Sequence, residues 1–196
     1  NVMIELATLA ELTNHLADIH TNGVVDYSVS DTVANLTAVG ANAQIAGHNV
    51  LILDAVSIAD LGTIKNAAGS VELASGIADT AAHLITDGGT LSAGHDVTIT
   101  DAVSLADLAT IGANTSGVVT ATAIADTMTH LLNDTAGYVS GSVNVKITDA
   151  TIAELTFDLT TIQHQTTGTV TYTVKDTLAN LVANTGLYLH AGVTAT

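Results

Sequence analysis

Val97-Thr-Ile-Thr-Asp-Ala-Val-Ser-Leu-Ala-Asp-Leu108 holds the two periods that decide the fold. From Val97 to Thr100 apolar and polar residues alternate, the pattern of a half-buried strand. From Ser104 the pattern becomes a hydroxyl, an apolar residue, Ala, a carboxylate and Leu. Ser or Thr followed three residues later by Asp or Glu is a capping box, in which each side chain satisfies a backbone N–H at a helix start. The stretch therefore predicts a strand, a corner at Asp101, and a short helix from Ser104 to about Ile111. Leu105, Leu108 and Ile111 would share its buried face. Val103 and Leu108 suit the accompanying apolar staple, as do Val56 and Leu61. Gly112-Ala-Asn-Thr-Ser-Gly117 is read as the end of the helix and the return.

The phrase occurs eight times, at steps of about 24 residues. It begins at Thr8, Thr32, Ser57, Thr80, Ser104, Thr127, Thr151 and Thr177 and ends at Leu12, Leu36, Leu61, Leu84, Leu108, Leu131, Leu155 and Leu181. Strand patterns precede it, as in Val143-Asn-Val-Lys-Ile-Thr148 and Val170-Thr-Tyr-Thr-Val174. An Asp follows many of them: Asp31, Asp54, Asp79, Asp101, Asp126, Asp149 and Asp176. A fixed period of this size means stacked supersecondary units. The expected fold is an α/β solenoid of about eight strand–short helix coils with a parallel sheet, residues 1–196 forming one continuous array.

The units alternate in detail, so the array also reads as four repeats of about 48 residues, each of two units. A β-solenoid with coils of about 48 residues is the alternative layout. The polar position of the phrase runs Glu11, Asn35, Asp60, His83, Asp107, His130, Glu154, Asn180. Short coils set each carboxylate beside Asn or His in the neighbouring coil, whereas long coils stack acid on acid at a repulsive cost. That favours the shorter coil.

Composition narrows the function. Hydrophobic residues make up 47% of the chain and aromatics 3%, material for thin aliphatic layers. Only Lys65, Lys146 and Lys175 oppose 19 acids, for a net charge of -16. With so few cations to neutralise phosphates, nucleic acid and anionic membranes are not expected partners. There is no Cys, so disulfide, thiolate zinc and cysteine-nucleophile chemistry are excluded. No apolar run reaches the length of a membrane span, and no signal peptide is expected.

Candidate chemistry rests on repeated residues. His83 and His130 are equivalent, as are His48 and His95, yet no His-x-x-x-His or Cys/His cluster makes them a metal set. A His between two carboxylates is expected to hold its proton more strongly when folded. The corner Asp residues are of the type that calcium loops use, as are Asp87-Gly-Gly89 and Asn133-Asp-Thr135. The calcium-binding nonapeptide and the EF-hand loop are both absent, and Asp at a corner is commonly a turn or cap residue. Thr rows on the strands suggest an ice- or glycan-binding face, but Leu51, Leu53, Ala121, Ala123, Ala125 and Lys146 interrupt them. Tyr27, Tyr138, Tyr172, Tyr188 and Phe157 are scattered or placed inward. No nucleophile–base arrangement occurs, so no catalytic, cofactor or metal residue is assigned and no enzyme activity is expected. Calcium stays open as a cofactor.

The chain starts Asn1-Val-Met-Ile-Glu5, in phase with Asn144-Val-Lys-Ile-Thr148, and stops at Ala191-Gly-Val-Thr-Ala-Thr196 near the same phase. Neither end reads as a polar capping unit. This suggests a segment of a longer array, or copies that stack head to tail. Ile99-Thr-Asp-Ala-Val-Ser-Leu-Ala-Asp-Leu108, Ala136-Gly-Tyr-Val-Ser-Gly141 and the stretch from Gly168 to Leu181 resemble the degenerate repeats of large bacterial cell-surface proteins. That class includes type I-secreted adhesins, surface-layer proteins and extracellular fibres. The resemblance implies an extracellular, cell-surface structural module that self-assembles, or an adhesion module binding glycan, mineral or ice. The missing nonapeptide is a departure from it.

Overall fold

The computed structural model describes residues 1–91, 94–184 and 186–189. The C-terminal stretch Ala191–Thr196 lies outside the described residues. The chain is an α/β fold built on two parallel sheets. The first has the order β1 (Val2–Ala7), β2 (Val25–Asp31), β3 (Asn49–Ile52), β4 (Ser70–Leu73). The second has the order β5 (Ile77–Asp79), β6 (Val97–Val103), β7 (Val119–Thr127), β8 (Asn144–Ala150), β9 (Val170–Val174). Where eight strands were expected, one strand region divides into β4 and β5, giving nine among the described residues.

Sheet neighbours are consecutive in sequence. Val29 pairs with Val50, Val50 with Val71, Ile124 with Val145, and Val145 with Val170. This spacing is that of the shorter unit, since a coil of about 48 residues would pair alternate strands. Of the apolar positions that the two-residue period sets inward, Val97, Ile99, Val143, Val145, Ile147 and Val174 are buried, whereas Val170 and Tyr172 are only half-buried.

Ten α-helices occur among the described residues: α1 (Leu9–His15), α2 (Val33–Leu36), α3 (Ala41–Ile45), α4 (Ile58–Ala67), α5 (Ala81–Thr86), α6 (Gly88–Leu91), α7 (Leu105–Asn114), α8 (Met128–Leu132), α9 (Ile152–Gln165) and α10 (Leu178–Ala183). All eight repeats of the phrase open a helix one residue after the hydroxyl. The Leu that closes the phrase is buried at Leu12, Leu36, Leu61, Leu84, Leu108, Leu131 and Leu155. One boundary differs from expectation. Helix α7 continues through Gly112 to Asn114, because the buried Ile111 holds its second turn against the core. The glycine that matters in that return is Gly117, where a Cβ would collide with the His95 carbonyl of the preceding unit. Gly168 meets the Val143 carbonyl in the same way.

By its contacts the chain divides into two compact units. One comprises residues 1–98 with 114–118, the other residues 99–113 with 119–196. No described helix is long and apolar enough to cross a membrane.

Candidate functional site

The densest polar chemistry lies where each strand turns into its helix, and it differs between odd and even repeats. In odd repeats the hydroxyl and the acid three residues on serve each other. The Thr8 and Thr151 backbone N–H groups donate to Glu11 and Glu154 Oε2 at 2.8 Å, and the Glu N–H groups donate to the Thr Oγ1 atoms at 3.2 Å. Asp60 and Asp107, one methylene shorter, take the hydroxyls of Ser57 and Ser104 instead, at 2.8 Å. Both forms tie down the first turn of the helix.

Even repeats place Asn or His at the position of that acid, and it turns back to the corner Asp four residues earlier. Asn35 donates to Asp31 Oδ1 and Asn180 to Asp176 Oδ1, both at 2.7 Å. His83 Nδ1 lies 2.7 Å from Asp79 Oδ1, and His130 Nδ1 lies 2.6 Å from Asp126 Oδ1. That contact requires a proton on Nδ1. The same Oδ1 accepts the next residue's backbone N–H, from Thr32, Thr80, Thr127 and Thr177.

The second oxygen leaves the repeat. Asp31 Oδ2 takes the Leu9 N–H at 3.0 Å and Asp79 Oδ2 the Ile58 N–H at 2.9 Å. Asp126 Oδ2 takes the Leu105 N–H at 3.0 Å and Asp176 Oδ2 the Ile152 N–H at 2.9 Å. Each is the first N–H of the preceding odd helix, one of the four a helix cannot satisfy itself. One carboxylate thus caps two helices in consecutive repeats. Asp54 makes the corresponding bond to Val33 at 2.8 Å but is exposed, whereas Asp31, Asp79 and Asp126 are 5–8% exposed.

This arrangement explains the alternation. A carboxylate at the position of His83 or Asn35 would face the corner Asp, so a donor stands there. The expected lateral ladder between phrase acids and their Asn or His neighbours is replaced by contacts within one repeat. His83 and His130 each meet one carboxylate in their own repeat, not two from flanking ones.

Electrostatically, burial pushes the Asp31, Asp79 and Asp126 carboxyls up. The hydrogen bonds they accept outweigh it and hold all three below the usual carboxylate range. Asp176 is held low by the Ile152 N–H, then by Asn180 and the Thr177 N–H. With three donors each, these carboxylates are structural clips rather than bases awaiting a proton.

The other candidates are also engaged locally. Asp134, in the Asn133-Asp-Thr135 fragment, accepts from the Val139 N–H at 2.7 Å and the Gly137 N–H at 3.1 Å, an ordinary loop closure. Asp149 lies 3.7 Å from Lys175 Nζ, just past the end of β9. His48 stacks on Tyr27 with ring centroids 3.7 Å apart, and its Nδ1 is 3.0 Å from the Tyr27 carbonyl. The His95 carbonyl accepts the Thr115 hydroxyl. Among the described residues no three His, Asp or Glu side chains converge as a metal would require.

A second inter-repeat ladder was missed in the sequence. Asn1, Asp96 and Asn144, at the starts of β1, β6 and β8, accept backbone N–H groups from Val24, Val118 and Thr169 of the following repeat. The recurring Asn-Val-x-Ile tetrads at Asn1, Asn49 and Asn144 could have signalled it.

No family model matches the chain, and neither a curated protein nor a solved structure matches it.

Proposed function

We propose that the chain is a non-catalytic structural module: an α/β solenoid of stacked units that builds an extracellular bacterial surface layer or fibre. It extends by end-to-end stacking of copies or continues within a longer array. The observation that carries this reading is the corner Asp, whose two oxygens join consecutive repeats. A residue copied into every even repeat serves the connection between units, which is the economy of a material and not of a single ligand site. An acidic surface rich in Thr, Ser and Asn suits an extracellular, cell-surface setting and keeps such an array soluble.

Electron microscopy of the purified chain, with and without a calcium chelator, tests this. Ordered filaments or sheets are the expected outcome, and their loss on chelation would assign calcium to the contacts. Dispersed particles under both conditions would remove end-to-end stacking.

A second reading, adhesion through the sheet face, has one observation in its favour. Met3, Leu6, Tyr27 and His48 line a shallow concavity of about 420 Å³ over the first sheet, large enough for a sugar ring. Glycan binding abolished by Tyr27→Ala in a chain that still melts cooperatively would support it.

A further inference from the structure

We infer that the groove between α7 and α8 is a saccharide site, in which the C–H face of a neutral pyranose lies against Tyr138 and one of its hydroxyls donates to His130 Nε2. The inference rests on the adhesion reading above for its ligand class, and moves the site from the first sheet to a helix pair of the second unit.

The groove is part of the repeat. Between α1 and the α2–α3 pair it has Leu9 and Ala10 in its floor and a volume of about 340 Å³. Between α7 and α8 it has Leu105 and Ala106, the same two positions of the capping phrase, and a volume of about 320 Å³. An apolar floor is what an odd helix presents in both places, so the floor alone singles out no ligand. The walls differ. In the first groove Gln44 Nε2 donates to Thr13 Oγ1 at 2.8 Å, the Thr13 hydroxyl donates to the Leu9 carbonyl, and Asn35 donates to Asp31. That groove is strapped by its own side chains. In the second, Ala109 takes the position of Thr13, so no hydroxyl receives a strap, and the facing wall is Tyr138.

Two polar groups there are left for a ligand. His130 Nδ1 lies 2.6 Å from Asp126 Oδ1, with the carboxylate 8% and the imidazole 66% exposed. A buried acid thus holds an open ring in one orientation and one tautomer, leaving Nε2 as an acceptor. Among the described residues nothing bonds to Nε2 or to the Tyr138 hydroxyl. Tyr138 is half-buried and reaches α7, where a Cβ added to Gly112 would lie 3.5 Å from its hydroxyl. Its loop is held by Asp134, which accepts the Gly137 and Val139 N–H groups on either side of it. Both contact groups are fixed before anything binds, so little ordering entropy opposes binding.

This chemistry selects the ligand. A pyranose has a flat array of C–H groups on one face and hydroxyl donors around its rim. It matches an aromatic wall, an apolar floor and a single acceptor. A shallow groove takes one ring of a glycan and leaves the rest in solvent. The charge of -16 on the chain, with Asp134 in the lining, repels acidic sugars.

The repeats themselves supply the decisive variant. His130→Asn keeps a donor to the corner Asp, as Asn35 and Asn180 do, but removes Nε2. Tyr138→Leu keeps an apolar wall without a ring face. The full chain is titrated with methyl glucoside, methyl galactoside, cellobiose and lactose, with glucuronate as the acidic control, and followed by NMR. At least one neutral sugar is expected to shift the His130 imidazole and Tyr138 ring signals, and glucuronate to shift neither. Each variant should bind about tenfold more weakly or worse with an unchanged melting curve, and Tyr27→Ala should bind like the unaltered chain. The shifts in the unaltered chain need no variant, so a variant that misfolds leaves the test intact. Binding that leaves both signals unmoved, or that Tyr27→Ala abolishes while His130→Asn and Tyr138→Leu keep it, overturns this groove and leaves adhesion at the sheet standing. A chain that binds none of the four neutral sugars overturns both.

Discussion

Asp126 and Asp176 hold the same place in their repeats, and the difference between them separates what a repeat makes alone from what its neighbour supplies. Both take the N–H of the preceding odd helix, the next residue's N–H, and a donor four residues on. The hydrogen bonds are therefore complete without a following repeat. Burial is not. Asp126 is 8% exposed beside β8, whereas Asp176 lies beyond the end of β9 and is half-buried. The helices repeat the contrast, since Met128 and Leu131 of α8 are buried while α10 buries no residue. Polar clips set the geometry of each joint, and the next repeat closes the core over it.

The strongest challenge to this comparison is a pair of truncations. Leu131→Ala removes a fully buried side chain and is expected to cost about 2–5 kcal/mol, lost transfer energy plus the cavity left behind. Leu181→Ala, at a side chain that is only half-buried, should cost less than half as much. Denaturant unfolding of both variants measures the difference. Equal costs would mean that burial of the closing Leu does not set its contribution.

Next in size is Asp126→Ala, which strips the shared acceptor from two helices at once and leaves the Leu105 N–H without its partner. The expected loss is about 2–3 kcal/mol, against about 1 kcal/mol or less for the exposed Asp54→Ala. The sign of the pH effect follows from the depressed carboxyls. Their stabilisation is full above the ordinary Asp value of about 4 and disappears as pH falls through the lower folded values. Acid unfolding should therefore begin below pH 4, and Asp126→Asn should flatten it. A wild-type melting temperature constant down to about pH 2 would contradict the clip.

These joints were half legible in the sequence. The capping phrase located eight of the ten described helix starts, because a hydroxyl at the cap has a local mechanism that needs no neighbour; α3 and α6 start without the phrase and were not foreseen. The two-residue period located most of the buried strand residues for the same reason, with Val170 and Tyr172 left half-buried. What was hidden depends on the adjacent repeat. That Asp79 reaches the Ile58 N–H follows only once parallel pairing sets one strand end beside the previous helix. The role of His83 was hidden with it. As a titrating group it invited a search for two carboxylates, yet it serves as a donor that Asn35 and Asn180 replace elsewhere.

The finest test concerns the two forms of the odd cap. Glu154 reaches back to the Thr151 backbone N–H and also meets the Thr151 hydroxyl, each at 2.8 Å, whereas Asp107 bonds to the Ser104 hydroxyl. One methylene decides whether the acid satisfies the backbone or only its neighbour's side chain. The longer acid stands where the strand bulges before the helix, at Asp149 and likewise at Leu6 before Glu11. A bulged strand brings the chain to its cap in a left-handed turn, and the reach of Glu keeps the cap N–H satisfied there. Glu154→Asp should therefore cost about 0.5–1 kcal/mol, while Asp107→Glu, with no left-handed residue before its cap, should be nearly neutral. Denaturant midpoints of the two variants decide it, and equal shifts would detach the bulge from the choice of acid.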